Sequence, residues 1–317
     1  EVCHLKIFTF AGASGLRDVR LDSLLTPAVI AQLAHSLEVL NGGGCGVTGG
    51  IPTALWNQCT KLKAVTFSRN NLSGELTNVD NVIDAFRCAG LRELNLHENN
   101  FRGQIPADLG VSCPLLVQLD LSTNRFEGQI PRTLAQCKEL TKLCLYQNRI
   151  GGTIPPELGQ CTSLNELDLS ENMLTGHIPP ELGQLRELKS FRANLNQLTG
   201  NIPATIGQCS LLQKLSLRDN KLHGTIPAAL GQCSKLRSLF LYNNELTGSL
   251  PDAIADCCAL QRFYANDNQL TGTIPEGLTK CKQLQKLHLA KNRLGGSIPP
   301  SIGTMPTAST DLPDGQE

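Results

Sequence analysis

The chain has 317 residues, 40% of them hydrophobic, and its 28 basic residues are balanced by 28 acidic ones. A near-neutral balance lacks the positive charge that attracts nucleic acids or acidic membrane surfaces. No apolar stretch reaches the roughly 20 residues that span a bilayer. We therefore predict no nucleic-acid partner and no membrane insertion by this segment.

Residues 1–36 predict a degenerate first repeat and an N-terminal cap. Leu16, Val19 and Leu21 have the apolar spacing of a short strand that recurs in every later repeat. Thr26 followed by Pro27 is typical of a helix N-cap and first helical residue. The sequence thus predicts a degenerate repeat, in which Leu24 stands where the asparagine would, followed by a helix that continues to about His35.

Residues 37–302 repeat one pattern, which is anchored by an asparagine at intervals of 24 residues from Asn124 onward. Leucine stands eight residues before each anchor, and further apolar residues stand five and three before it. Their final alternation predicts a short strand with one buried face. The repeats therefore predict stacked strands in one parallel sheet. The anchor positions are Cys45, Asn70, Asn99, Asn124, Asn148, Asn172, Asn196, Asn220, Asn244, Asn268 and Asn292.

Two further positions of the repeat, an asparagine and a glycine, predict roles in the backbone structure. The anchoring asparagine follows the strand, where its amide can bond to the turn and to the neighbouring repeat. Glycine stands four residues later in all eleven repeats, from Gly49 to Gly296. It predicts a backbone conformation, or a close approach, that a Cβ would obstruct.

The consensus LxxLxLxxNxLxGxIPxxLGxC resembles the plant-type leucine-rich repeat of receptor-like kinase ectodomains and polygalacturonase-inhibiting proteins. The resemblance implies an α/β repeat fold, a right-handed leucine-rich-repeat solenoid of about 11 repeats of 24 residues with a concave parallel β-sheet. It also implies a protein or peptide partner on the concave face. Some receptors of this family hold a peptide carboxylate with an RxR pair on one strand. Arg192-Ala193-Asn194 does not complete that pair, so capture of a terminal carboxylate is not expected.

The remaining features of the chain concern its cysteines, its insertion and its end. Most of the 13 cysteines occupy one column of the repeat in which Leu185 also stands, and this predicts a buried apolar slot of free thiols. An insertion between Asn78 and Cys88 predicts a short helix on the outer edge. Residues 303–317 predict a flexible tail. The sequon Asn71-Leu72-Ser73 makes Asn71 the glycosylation candidate.

Side chains that point outward from the predicted strands are free of core constraints and predict the binding surface. The chain's three tyrosines fall there, together with Phe240 and several cations, and exposed aromatics on a rigid face are typical binding anchors. The alternative is that the rings stack on one another along the ladder. The predicted partner-binding residues are Tyr146, Arg192, Arg218, Phe240, Tyr242, Arg262, Tyr264 and His288.

Charge is also divided along this face. Outward positions of the middle repeats are mainly acidic, and those of the C-terminal repeats are mainly basic. A divided groove can orient a charged partner. The predicted acidic concave patch consists of Glu93, Asp120, Glu166 and Asp168.

The functional prediction is a non-catalytic, protein- or peptide-binding scaffold, because the sequence has no catalytic signature and predicts no metal or cofactor site. Three alternatives remain open. They are the ligand-binding ectodomain of a receptor-like kinase, a secreted inhibitor of a glycoside hydrolase, and a structural subunit of a larger assembly. The first two imply an extracellular or cell-surface protein, and free cysteines would instead suit an intracellular one.

Overall fold

The computed structural model describes residues 5–76 and 88–300. The helix predicted between Asn78 and Cys88 and the tail predicted over residues 303–317 lie outside the described residues. The boundaries predicted at residues 36 and 302 stay predictions.

The described residues form nineteen short strands, most of them three residues long. The strands are β1 (Ile7–Thr9), β2 (Val39–Asn41), β3 (Thr48–Gly49), β4 (Ala64–Thr66), β5 (Asn71–Glu75), β6 (Glu93–Asn95), β7 (Asn100–Gln104), β8 (Gln118–Asp120), β9 (Arg125–Glu127), β10 (Lys142–Cys144), β11 (Glu166–Asp168), β12 (Ser190–Arg192), β13 (Thr199–Gly200), β14 (Lys214–Ser216), β15 (Lys221–Gly224), β16 (Ser238–Phe240), β17 (Glu245–Leu246), β18 (Arg262–Tyr264) and β19 (Lys286–His288).

Twelve of these strands build one parallel sheet, in the order β1-β2-β4-β6-β8-β10-β11-β12-β14-β16-β18-β19. Each strand pairs with the strand of the next repeat in register, so that Leu143 lies opposite Leu167 and Lys142 opposite Glu166. Leu143 and Leu167 are fully buried. The predicted solenoid with a concave parallel sheet is therefore confirmed, and β1 adds one strand before the eleven predicted repeats.

Short helices form the side opposite the sheet. The α-helices are α1 (Leu21–Leu24), α2 (Pro27–Leu33), α3 (Thr53–Gln58) and α4 (Leu109–Ser112). The 3-10 helices span Ser14–Leu16, Arg132–Gln136, Pro156–Gln160, Pro180–Gln184, Ala204–Gln208, Ala228–Gln232, Asp252–Asp256 and Glu276–Lys280. Every 3-10 helix from Arg132 onward follows a proline of the repeat, whose fixed φ suits a helix start.

The anchoring asparagines join neighbouring repeats, as predicted. Asn99 Oδ1 accepts a hydrogen bond from the backbone N–H of Leu72 at 3.0 Å. Its Nδ2 donates to the carbonyl of Phe67 at 2.8 Å and to that of Leu96 at 3.1 Å. Leu72 and Phe67 belong to the preceding repeat, so one side chain satisfies buried backbone groups of two repeats. The same arrangement recurs at Asn124, Asn148, Asn172, Asn196, Asn220, Asn244, Asn268 and Asn292.

The glycine that follows four residues later has the predicted backbone role. Its φ lies between +72° and +103° in all eleven repeats. At Gly176 a Cβ would also lie 2.8 Å from Cγ2 of Thr153 in the preceding repeat. Both the conformation and the close approach therefore favour glycine.

The core is a continuous stack of leucines and cysteines. Cys137, Cys161, Cys209 and Cys233 are fully buried, and so is Leu185 in the same column. All twelve cysteines of the described residues are free thiols. The prediction of a buried apolar slot is confirmed, because leucine and cysteine occupy equivalent space.

Leu16, Val19 and Leu21 keep the apolar spacing of the repeat but lie outside the nineteen strands. The first strand is β1, and it pairs with β2 through Phe8 and Leu40. Leu16 ends a 3-10 helix and Leu21 begins α1, where it is fully buried. Short helical turns and a strand can bury the same apolar spacing, so periodicity alone did not separate them. The next helix is confirmed, since the Thr26 side chain accepts a hydrogen bond from the N–H of Val29.

Candidate functional site

The concave sheet places outward side chains in columns that run across the strands. Parallel register aligns one column through β11, β12, β14, β16, β18 and β19. Strands lie about 4.8 Å apart, so residues from consecutive repeats form continuous rows. The column reads Asp168, Arg192, Ser216, Phe240, Tyr264 and His288.

A depression of about 400 Å³ lies in the middle of this face. Its acidic groups all come from β8, from β11 and from the turn after β11. Its cations come mainly from β12, β14 and the turn after β14, and Lys142 is the exception. The predicted division of charge therefore passes through one site. The lining consists of His97, Asp120, Lys142, Cys144, Tyr146, Glu166, Asp168, Ser170, Glu171, Arg192, Asn194, Lys214, Ser216, Arg218 and Phe240.

Hydrogen bonds orient two carboxylates on the acidic side of the depression. Asp168 is 3% exposed, and its Oδ1 accepts hydrogen bonds from the backbone N–H and the hydroxyl of Ser170 at 3.1 and 2.5 Å. Asp120 makes the same pair of bonds to Ser122. Glu93 lies on β6, does not line the depression, and accepts from the Thr66 hydroxyl at 3.5 Å.

Lys142 and Cys144 lie beside these carboxylates in the depression. Lys142 Nζ lies 3.3 Å from Asp120 Oδ2. Burial lowers the pKa of Lys142, but Cys144, Asp120 and Glu166 outweigh that effect and raise it. Burial, followed by the charges of Asp120 and Glu166, raises the pKa of the Cys144 thiol, which stays protonated at neutral pH.

Arg192 belongs to the acidic group rather than to the predicted aromatic and basic patch. Its Nη2 donates to Glu166 Oε1 at 2.6 Å. Its Nε lies 3.1 Å from Asp168 Oδ2, an ion-pair distance, but this buried N–H makes no hydrogen bond. One guanidinium is thus shared by two carboxylates. Asp168 and Arg192 are neighbours in one column, but the sequence does not reveal that the Arg192 side chain also turns toward Glu166 in the adjacent column.

The aromatic residues are packed together on the C-terminal strands. Phe240 is 2% exposed, which corrects its prediction as an exposed anchor. Its ring centroid lies 5.1 Å from that of Tyr264, which in turn lies 4.3 Å from that of His288 in a stacked arrangement. Tyr242 lies 6.4 Å from Tyr264. Stacking along the ladder therefore occurs, while Tyr242 and Tyr264 stay half-exposed at the surface.

Cations lie over these rings. Lys214 Nζ and the Arg262 guanidinium each lie 5.6 Å from the centre of the Phe240 ring. The Arg218 guanidinium lies 5.4 Å from the Tyr242 ring, and its Nη1 donates to Asp219 at 2.7 Å. Cation–π contact holds charged groups at fixed positions on the face.

Some predicted residues lie apart from this cluster, and some lining residues were missed. Tyr146 lies beside His97, with ring centroids 5.9 Å apart, on the acidic side of the depression. His97, Cys144 and Asn194 were not predicted, although their distance from the anchoring asparagine places them in outward columns. Asn71 is exposed on β5, in a second sheet, and its glycosylation stays a prediction.

The fold and this open face define the class of protein as a leucine-rich-repeat solenoid with a candidate binding groove. Two leucine-rich-repeat family models together match more than half of the chain, one at residues 210–270 and the other at 90–111, 115–137, 139–161, 163–185 and 283–305. No curated protein sequence matches it significantly.

Solved structures of plant receptors resemble the chain over most of its length. The ectodomain of the membrane receptor kinase GASSHO1/SCHENGEN3 from Arabidopsis thaliana, in complex with CASPARIAN STRIP INTEGRITY FACTOR 2, is 33% identical with a TM-score of 0.73, over 88% of this chain and 35% of that one. The plant peptide hormone receptor RGFR1, in complex with RGF2, is 34% identical with a TM-score of 0.76, over 88% and 47%.

The Arabidopsis receptor kinase HAESA, in complex with the peptide hormone IDA and the co-receptor SERK1, is 30% identical with a TM-score of 0.77, over 91% of this chain and 51% of that one. The chain therefore spans between about a third and a half of these receptor chains. It belongs to the plant-type leucine-rich-repeat family.

Among residues 5–76 and 88–300, no helix combines the length and apolar character needed to cross a membrane.

Proposed function

We propose that the chain is a non-catalytic, extracellular ligand-binding unit of the receptor type, and that its concave face binds an extended peptide. The observation that carries the proposal is the concentration of charged and aromatic side chains on that face, around the depression of about 400 Å³. The core and the asparagine ladder do not require these side chains. Their presence is therefore better explained by a ligand than by folding.

The shape of the face supports a peptide. Twelve strands at about 4.8 Å give a surface about 50 Å long, which an extended chain can follow across many repeats. Solved relatives that bind peptide hormones support the same ligand class. The half-exposed rings of Tyr242 and Tyr264 would supply apolar contact area with little loss of side-chain entropy.

The test is selection of random 12-residue peptides displayed on phage against the immobilised chain. Peptides that are enriched are then measured on a Tyr242→Ala/Tyr264→Ala variant. We expect at least tenfold weaker binding, because truncation of two central aromatic anchors costs more than about 1.4 kcal/mol.

A matched variant carries two substitutions in one 3-10 helix on the opposite side, Glu276→Ala and Lys280→Ala, and we expect unchanged binding. Circular dichroism and urea unfolding establish that both variants are folded. Peptides that bind the tyrosine variant as tightly as the wild type but lose affinity for the helix variant would refute a concave binding site.

A further inference from the structure

Some charges of the concave face are not fully compensated within the protein. These charges indicate which charged groups a ligand would carry. On the acidic side Glu166 and Asp168 share the single guanidinium of Arg192. Glu171, on the turn after β11, is exposed and also lines the depression. Lys142 lies opposite Glu166 and 3.3 Å from Asp120, so Asp120, Glu166 and Asp168 share two cations and retain one net negative charge, which attracts a further cation.

Arg262 is the complementary group on the cationic side. It is half-buried, and among the described residues its guanidinium makes no ion pair with a carboxylate. It is held instead by the Ser238 hydroxyl, to which Nε donates at 3.2 Å, and by the Phe240 ring. A guanidinium keeps its charge at every physiological pH, so an anion from outside the protein would be its natural partner.

The surroundings of Arg262 suit an anion. Lys214, Ser238 and Arg262 stand in one column on β14, β16 and β18, with Ser238 between the two cations. Ser238 is only 3% exposed, so its hydroxyl positions the Arg262 guanidinium by accepting from Nε, and the two cations meet the anion. The Phe240 ring beneath both cations fixes their height above the sheet.

The distance between these two centres sets the spacing of charges in the ligand. The Arg262 guanidinium reaches back to Ser238, so Ser238 on β16 marks the cationic centre and Glu166 on β11 marks the acidic one. The sheet order places β12 and β14 between these two strands. Three strand intervals correspond to about 14 Å, and an extended peptide covers that distance in about four residues.

We infer that the ligand carries a basic side chain and an anionic group about four residues apart, the first over Glu166 and Asp168 and the second over Arg262. This inference rests on the proposed function and adds the charge pattern of the peptide. The anion is a carboxylate side chain or a phosphate or sulfate ester, since all three accept from a guanidinium in the same way.

The test uses the same 12-residue library, with peptides whose termini carry no charge in the follow-up measurements. We expect enriched peptides to contain a basic and an acidic residue separated by three to five positions, at least threefold above their frequency in the unselected library. Selection on Arg262→Gln should remove the enrichment of acidic residues, and selection on Glu166→Gln should weaken that of basic residues. Lys280→Gln, an exposed charge on the opposite side, should change neither.

A synthetic copy of an enriched peptide separates the possible anions. Replacing its acidic residue with phosphoserine or sulfotyrosine should raise affinity if an ester is preferred, and lower it if a carboxylate is preferred. Either result supports an anion site at Arg262, provided that Arg262→Gln abolishes the difference.

Two outcomes would overturn the inference. If enriched peptides depend on Tyr242 and Tyr264 but show no preferred charge spacing, the inference fails and the proposed function stands. An acidic preference that persists on Arg262→Gln would also exclude this site. If no enriched peptide depends on the concave face, the inference and the proposed function fail together.

Discussion

The anchoring asparagine shows how one residue type carries the connection between repeats. Its amide is both the acceptor for one buried N–H and the donor to carbonyls of two repeats, and neither leucine nor serine offers both groups at that reach. The role could be predicted because the sequence repeats this residue at a fixed place. The residue before each asparagine was not predicted to have positive φ, as at Glu171 (54°) and Leu195 (54°), since its identity varies from repeat to repeat.

Asn99→Ala should destabilise the protein by about 1–3 kcal/mol, because it leaves the buried N–H of Leu72 without a partner and leaves the Phe67 carbonyl with Asn70 Nδ2 as its remaining amide donor. The measurement is the urea unfolding midpoint. Asn100→Ala is the matched control, since Asn100 is only half-buried and, within residues 5–76 and 88–300, its side chain bonds to the exposed Arg125 alone. Equal midpoints for the two variants would contradict the role assigned to the ladder.

The buried thiols predict a loss of stability at alkaline pH. Burial raises the pKa of Cys161 from 9.0 to about 11, so in this interval the unfolded chain loses a proton that the folded chain keeps. The contribution is fully present below pH 9 and is lost as pH rises toward 11. Cys161→Ala should therefore reduce by about one the number of protons released on unfolding near pH 10.

This number is obtained from the slope of unfolding free energy against pH between 9.5 and 10.5. Thr162→Ala, an exposed neighbour without a titratable group, should leave the slope unchanged. An identical slope for Cys161→Ala and the wild type would contradict the prediction, because it would show that the thiol ionises alike in the folded and the unfolded chain.

At the scale of elements, the 3-10 helices of consecutive repeats lie in direct contact. The chain approaches so tightly at Gly183 that an added Cβ would overlap the carbonyl oxygen of Thr205 in the next repeat. Ala135 and Ala255 occupy the same place in other repeats, so the spacing of neighbouring helices is not uniform. The sequence predicted the repeat strands well because apolar and outward residues alternate regularly in them. At β1 and at the turns of Leu16 and Leu21 no pattern distinguishes a strand from a short helix.

Gly183→Ala should destabilise the protein by about 1–3 kcal/mol, because the methyl group can be accommodated only by separating two helices. Gly15→Ala is the control in another 3-10 helix, where no atom lies within 4 Å of the added Cβ. Thermal unfolding compares the two variants. A Gly183→Ala protein as stable as the Gly15→Ala protein would mean that neighbouring repeats separate at little cost.

At the scale of the whole molecule, the solenoid converts a one-dimensional sequence into a long face whose columns bring together residues 24 positions apart. The charge division of this face could be predicted, because the outward positions follow from the repeat. The pairing of Arg192 with Glu166 and Asp168 and the burial of Phe240 could not be predicted, since both depend on the directions that side chains take between neighbouring strands.

The most direct test of a concave binding site is hydroxyl-radical footprinting of the chain with and without a selected peptide. Tyr242 and Tyr264 report on the concave face, and Met173, which is 52% exposed in the turn beyond the sheet, is an internal reference. We predict that saturating peptide lowers oxidation of both tyrosines at least threefold and leaves Met173 unchanged. Unchanged tyrosines with protection elsewhere would contradict the account.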